Sequence, residues 1–204
     1  MEPVSSGELK NRYFVMRHRE SEANVLKIII SDPAHGVRSY GLSAAGRRQV
    51  AASLRQCTIL RSDTVMYCSD FKRTRETAAI VRRHLGISTV HISQRLRERD
   101  FGSWEKTSAK NYQKVWQRDA IDAEHTEHHV EAVSHVLQRG LALISLLERR
   151  YANRDILLVG HGDPLQILET AFHGLLPSRH RSQKNLEVAE VRPLVPNPLA
   201  TLMP

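Results

Sequence analysis

Cysteine is scarce in this chain: Cys57 and Cys68 are the only two in 204 residues. They form neither a CxxC pair nor a framework of bridges, which excludes a disulfide-stapled scaffold and makes a reduced, cytoplasmic setting the expectation. Long apolar runs are missing as well. The longest, Val25-Leu26 and Ile28-Ile29-Ile30 around Lys27, fall far short of the roughly 20 residues a membrane-crossing helix needs, so no membrane association is expected. The start, Met1-Glu2-Pro3, lacks a basic stretch followed by an apolar one, and no secretory signal is expected. Aromatic residues make up 5%, but 41% hydrophobic and 25% charged residues are the balance of a folded domain rather than a disordered chain. Acidic charge is in the minority, 22 residues against 30 basic ones, for a net charge of +8. Such an excess suits nucleic acid, an anionic membrane face or anionic substrates, and does not choose among them.

The length fits one domain with a full core and leaves little room for a second. Short β-branched or apolar runs at Tyr13–Met16, Thr64–Cys68, Thr89–Ile92 and Ile156–Val159 each precede a polar or Gly-containing turn, and helical periodicity fills the intervals. Ser43 reads as the cap of a helix running to about Gln56. Ser69 or Asp70 starts another, with Phe71, Thr74, Ala78, Val81 and Leu85 on one face. The longest begins near His129, and Asp163-Pro164 marks the start of a fourth, with Asp163 as cap. Strands alternating with helices predict an α/β fold, a three-layer α/β/α sandwich around a mostly parallel sheet. The prolines 193, 196, 198 and 204 predict an extended or disordered tail over 193–204 behind a single domain over 1–192. The polar stretch Glu105–His129 is expected to form irregular helix and loop over one end of the sheet.

The residues just past each strand carry the chemistry. After the first come Arg17 and His18, then Glu20, Ser21 and Asn24; after the second come Ser69, Lys72 and Arg73. Glu98 comes after the third, and His161, between Gly160 and Gly162, after the fourth. Ligand sites in open α/β sheets lie beyond the carboxyl ends of the strands. These residues suit phosphoryl transfer: a neutral imidazole is a nucleophile near neutral pH, arginines match phosphate oxygens, a helix start adds amide donors, and a carboxylic acid protonates the leaving oxygen.

Arg17-His18-Arg19-Glu20-Ser21 resembles the RHGE[ST] signature of the histidine phosphatase superfamily, the phosphoglycerate-mutase-like enzymes. Tyr40-Gly41-Leu42-Ser43 with Gly46 is similar to their helix entry, Cys68 to Thr74 with Glu76-Thr77-Ala78 to their second phosphate-binding segment, Leu96 to Glu105 to their acid-bearing loop, and Val159-Gly160-His161-Gly162 to their second histidine motif. The resemblance spans Tyr13 to Val191 and implies a phosphoglycerate-mutase-like fold. It further implies that His18 forms a phosphohistidine, that Arg17, Arg73 and His161 hold the phosphoryl oxygens, that Ser21 and Asn24 line the same pocket, and that Glu98 is the proton donor. No metal and no cofactor are implied. One residue departs from the pattern: Arg19 stands where the family has glycine, which could place a cation at the pocket mouth, block it or displace His18.

Other features have plainer readings. Arg97 and Arg99 read as exposed charge, and Arg47-Arg48, Arg82-Arg83 and Arg149-Arg150 as solvated helix faces rather than a nucleic-acid stripe. His125, His128 and His129 have helical spacing but no fourth ligand, which argues against zinc. Trp104, Tyr112 and Trp116 suit core or lid packing better than substrate stacking. Only 63 residues separate Glu98 from His161, resembling the shorter phosphatase branch rather than the mutases. The expectation is therefore a phosphomonoester hydrolase whose partner is a small phosphorylated metabolite, neither nucleic acid nor membrane. The alternatives are a mutase-type phosphotransferase, or a phosphate-ligand-binding protein weakened by Arg19. Substrate identity and oligomeric state are not readable from the sequence.

Overall fold

A computed structural model describes residues 9–55, 57–186 and 190–197. Its strands are β1 (Arg12–Arg17), β2 (Val65–Cys68), β3 (Val90–Ile92), β4 (Asp155–Gly160) and β5 (Val191–Leu194). Its helices are α1 (Glu22–Leu26), α2 (Pro33–Gly36), α3 (Ala44–Leu54), α4 (Lys72–Leu85), α5 (Tyr112–Asp119), α6 (Val133–Arg150) and α7 (Gly162–His173). The sheet runs β3-β2-β4-β1-β5. Its β1–β4, β2–β4 and β2–β3 pairs are parallel, and β5 is antiparallel to β1.

Alternation along the strands builds the layers. Tyr13 and Val15 of β1 with Ile156 and Leu158 of β4 face α6 and α7. Phe14, Met16, Leu157 and Val159 face α3 and α4 on the other side. Covering both faces makes each central strand a continuous apolar run, as parallel sheets require. This is the expected α/β sandwich with a mostly parallel sheet.

Several boundaries differ from expectation. β5 runs through the predicted domain end at 192, with Pro193 opposite Phe14; it is an edge strand, the place where a sheet tolerates a proline. The predicted tail from 198 onward lies outside the described residues. Gln56, the predicted end of α3, also lies outside them, and the helix closes at Leu54. α4 starts at Lys72 because neither predicted cap is free: Asp70 is held by Arg97 at 2.6 Å, and Ser69 lies beside His161. α6 starts at Val133, because His128 and His129 before it take the left-handed conformation. α7 starts at Gly162 with His161 as cap, since the Asp163 carboxylate turns to other partners. By length and composition alone, Glu127–Arg150 would pass as a membrane span at mean hydropathy 1.3, but half of that window is buried inside the fold.

Candidate active site

The parallel strands end together and continue into the site. His18 N donates to Gly160 O at 3.0 Å, and Ser69 N donates to Val159 O at 3.1 Å, so the loops after β1 and β2 are tied to β4. Two glycines permit the close approach. A Cβ on Gly46 would lie 2.0 Å from Glu20 O, so α3 docks directly on the loop that carries His18. Gly162 lies under the Arg17 guanidinium, with a built Cβ 3.2 Å from it.

His18, Arg73 and His161 are 4%, 3% and 0% exposed. Arg73 joins them: its Nε donates to His18 Nε2 at 3.1 Å and to His161 Nδ1 at 3.2 Å, and its Nη2 donates to Ile30 O at 3.0 Å. Its Nη1 is buried without a hydrogen-bond partner among the described residues. Buried donors are rarely left so, and this one is available to an anion. His18 Nδ1 lies 2.7 Å from Arg19 O. A carbonyl only accepts, so Nδ1 carries the hydrogen and Nε2 is the lone-pair nitrogen that accepts from Arg73 Nε. By the same reasoning, His161 accepts at Nδ1 and donates from Nε2 to Ser69 Oγ at 3.1 Å.

Glu98 Oε2 lies 3.6 Å from Arg73 Nη2 and 3.7 Å from His161 Nδ1. Its other oxygen accepts from Arg99 N at 3.1 Å. Burial pushes the Glu98 carboxyl up to about 7 against the pull of Arg73, and the charge of Asp163 adds to the rise. Burial, with Arg73 and Arg17 beside it, holds His18 well below the usual histidine range. Burial, Arg73 and His18 do the same to His161. Near neutral pH the site therefore holds neutral imidazoles beside a carboxyl that exchanges its proton.

A cavity of about 300 Å³ opens on this cluster. Of the predicted site residues, Arg17, His18, Ser21, Asn24, Arg73 and Glu98 line it. His161 lies beneath it, reached through Arg73. Ser21 and Asn24 also cap α1 reciprocally, so the amide oxygen of Asn24 is engaged with Ser21.

Arg19 does not line this cavity. It has no positive φ, so this backbone does not require glycine there. It lines an adjoining cleft with Glu20 and Gln49, and Arg17, His18 and Asn24 border both spaces. His18, Glu98 and His161 each bring a potential ligand atom within 4.8 Å of the others. A metal in that gap would compete with the Arg73 guanidinium, a fixed positive charge already bonded to both imidazoles.

Arg99 corrects the sequence reading. It is fully buried, forked onto Asp119 at 2.6 and 2.8 Å, with Asp163 at 3.4 Å. Arg97 is half-buried on Asp70. His125, one of the histidines read as not forming a zinc site, lies 2.7 Å from Asp119, and His128 tilts over Trp104. The paired arginines on α3, α4 and α6 are exposed or nearly so, as expected.

Tyr112 and Trp116 line the cavity, so the α5 segment is its wall. Trp104 instead packs against the small core of Ile29, Phe101, Val115 and Val130. Sequence reasoning passed over Asp163 and Gln166 as cavity residues, although they stand one turn apart on a helix that begins at the site. Arg181, also in the wall, carries no sequence signal.

The model of the histidine phosphatase superfamily (branch 1) matches residues 13–195. The uncharacterized phosphatase PhoE of Bacillus subtilis is 25% identical over 182 residues, covering 86% of this chain and 88% of that one. Among solved structures, mycobacterial glucosyl-3-phosphoglycerate phosphatase superposes with a TM-score of 0.72 at 23% identity, covering 87% of this chain and 86% of that one. A putative α-ribazole-5′-P phosphatase from Escherichia coli gives 0.66 at 24% identity, covering 92% and 96%.

Proposed function

Because the chain belongs to the histidine phosphatase superfamily, we propose that it hydrolyses a small phosphomonoester through a phosphohistidine on His18. The observation that carries this reading is the pairing of opposite protonation states in one cavity: an imidazole unprotonated at Nε2, which Arg73 Nε orients, and a carboxyl group raised to about 7. Such a pair supplies a nucleophile and a general acid at the same pH.

In the first step His18 Nε2 attacks phosphorus, the bond to the leaving oxygen breaks, and Glu98 gives that oxygen its proton. In the second, water attacks phosphorus, the Glu98 carboxylate takes the water proton, and the bond to Nε2 breaks to release phosphate. Arg17 and the unpartnered Nη1 of Arg73 hold the equatorial oxygens. His161 shares the Arg73 Nε–H with His18, and the negative charge of a bound phosphoryl group favours its protonated form. Ser21 and Asn24 complete the wall. The guanidinium groups supply the positive charge, so turnover is expected to need no metal. A cavity of about 300 Å³ stands at the small end of ligand sites, which fits a metabolite-sized ester.

The test is phosphate release from an aryl phosphate, with chelator present, by wild type and His18→Ala. Turnover lost by about a thousandfold or more in the variant supports the reading; turnover equal in both, or restored only by added metal, refutes it. Arg19→Gly addresses the weakened-binder alternative. Because the Arg19 side chain lies outside the cavity, turnover is expected within about threefold of wild type, and a hundredfold gain would mean that Arg19 suppresses catalysis. Net phosphate release, rather than relocation of phosphate onto a second hydroxyl, separates the hydrolase from a mutase.

A further inference from the structure

Resting on the hydrolase reading, we propose that Arg181 selects substrates whose leaving group carries a second anion, a carboxylate or a second phosphoryl group. Arg181 lines the same cavity as His18, Arg73 and Glu98. It comes from the turn Pro177–Ser182 behind α7, far in sequence from the residues assigned to the reaction. Its guanidinium carbon lies 3.8 Å from the centroid of the Trp116 ring. The indole face it covers is closed to an apolar substrate, and the wall offers a planar cation there instead.

That cation is held firmly, and among the described residues its side-chain hydrogen bonds go to neutral groups. Its Nη1 donates to Gln166 Oε1 and its Nη2 to Asn185 Oδ1, both neutral amides. The nearby carboxylate, Asp163, is already committed: it accepts from Trp116 Nε1 at 2.9 Å and faces Arg99 at 3.4 Å and His180 at 3.5 Å. His180 is fully buried, with Nδ1 3.0 Å from Pro177 O, and pins the turn next to Arg181. Asp163 thus fixes Trp116 directly and the Arg181 turn through His180, a preorganised wall.

Charge completes the argument. Arg17 and Arg73 suffice for a phosphoryl dianion, leaving a third guanidinium in a cavity of about 300 Å³. In-line attack by His18 sends the leaving group away from the nucleophile, toward the acid Glu98. Arg181 covers the Trp116 ring, Trp116 donates to Asp163, and Asp163 faces Arg99, the residue next to Glu98, which joins Arg181 to the Glu98 side of the cavity. An uncharged leaving group would desolvate this cation without compensation, whereas a carboxylate or phosphate meets its fork.

The experiment compares kcat/KM for propyl phosphate, the phosphate ester of β-hydroxypropanoate, and trimethylene bisphosphate, in wild type, Arg181→Gln, Arg181→Lys and Arg181→Glu. Wild type is expected to favour at least one anionic ester over propyl phosphate by about tenfold or more, mainly through KM. Which one it favours identifies carboxylate or phosphate as the second anion. Arg181→Gln should bring that ratio to about twofold or less, Arg181→Lys should keep part of it, and Arg181→Glu should invert it in favour of propyl phosphate. Raised salt should shrink the wild-type ratio, a readout that needs no variant. No preference in wild type, or a preference that survives in Arg181→Gln, overturns the proposal while His18-dependent turnover keeps the hydrolase reading standing. Absence of His18-dependent turnover on every ester sinks both.

Discussion

Replacing Glu98 by glutamine removes a carboxyl whose proton the fold holds up to about 7, against 4.5 for an ordinary glutamate. A carboxyl with a raised folded pKa favours the fold when protonated, so its ionisation takes stability away as pH rises from about the unfolded value to the folded one. The side chain is only 9% exposed, so the shift converts to about 3 kcal/mol with little solvent screening. Roughly 2.5 kcal/mol of this falls between about pH 5 and about pH 8. Glutamine does not titrate, and its carbonyl can keep the bond from Arg99 N. The buried histidines are common to both chains and largely cancel in the comparison. Urea denaturation of wild type and Glu98→Gln at several pH values should show the variant gaining on wild type as pH rises, equivalent to roughly 5–10 °C in Tm across this range. A stability difference that is flat with pH, or that moves against the variant, would show that the fold does not hold this proton, and the general-acid assignment would go with it.

Other perturbations test the surrounding frame. Asp163→Asn removes a negative charge that raises the Glu98 pKa; Glu98 should then ionise at lower pH, and the alkaline limb of the pH–rate profile should move toward acid. An unmoved limb would detach that limb from Glu98. Arg99→Met leaves the buried Asp119 carboxylate with only imidazole partners, His125 at 2.7 Å and His180 at 3.7 Å, at a cost of about 3–5 kcal/mol measured by urea denaturation, and adding Asp119→Leu should recover part of it. Gly46→Ala places a methyl 2.0 Å from Glu20 O and should lower stability by about 1–3 kcal/mol together with turnover, because that loop carries His18.

The strands β1, β2 and β4 were legible because burial on both faces turns them into apolar runs between turns, whereas β3, half-buried at the sheet edge, showed itself by its β-branched residues. His18, Arg73, Glu98 and His161 were legible because each lies just past a strand end. The features that escaped depend on partners distant in the chain. Arg99 reads as surface charge beside Arg97, but its carboxylates lie 20 and 64 residues away. Asp163 before Pro164 has the pattern of a cap, and only the packing of Trp116 and Arg99 against it shows otherwise. Proline in β5 argues locally against a strand, and pairing at the sheet edge overrides that argument.

Burial alone would do the same thing to every ionisable group in the cavity, pushing each toward its neutral form. That single cause moves His18 and Glu98 in opposite directions, since the imidazole is neutral without its proton and the carboxyl is neutral with it. Arg73 then acts unequally. It reinforces the neutral state of His18 but opposes that of Glu98, drawing the carboxyl back into a range where it can both give and take a proton near neutral pH. With Arg73 absent, Glu98 would hold its proton more tightly and give it up less readily to the leaving oxygen in the proposed first step. In the proposed mechanism the guanidinium thus has a second consequence beside holding phosphate: it keeps the acid able to give its proton near neutral pH. Arg73→Met should displace the alkaline limb to higher pH while lowering kcat. A limb left in place by that change would mean that Arg73 serves the phosphoryl group alone.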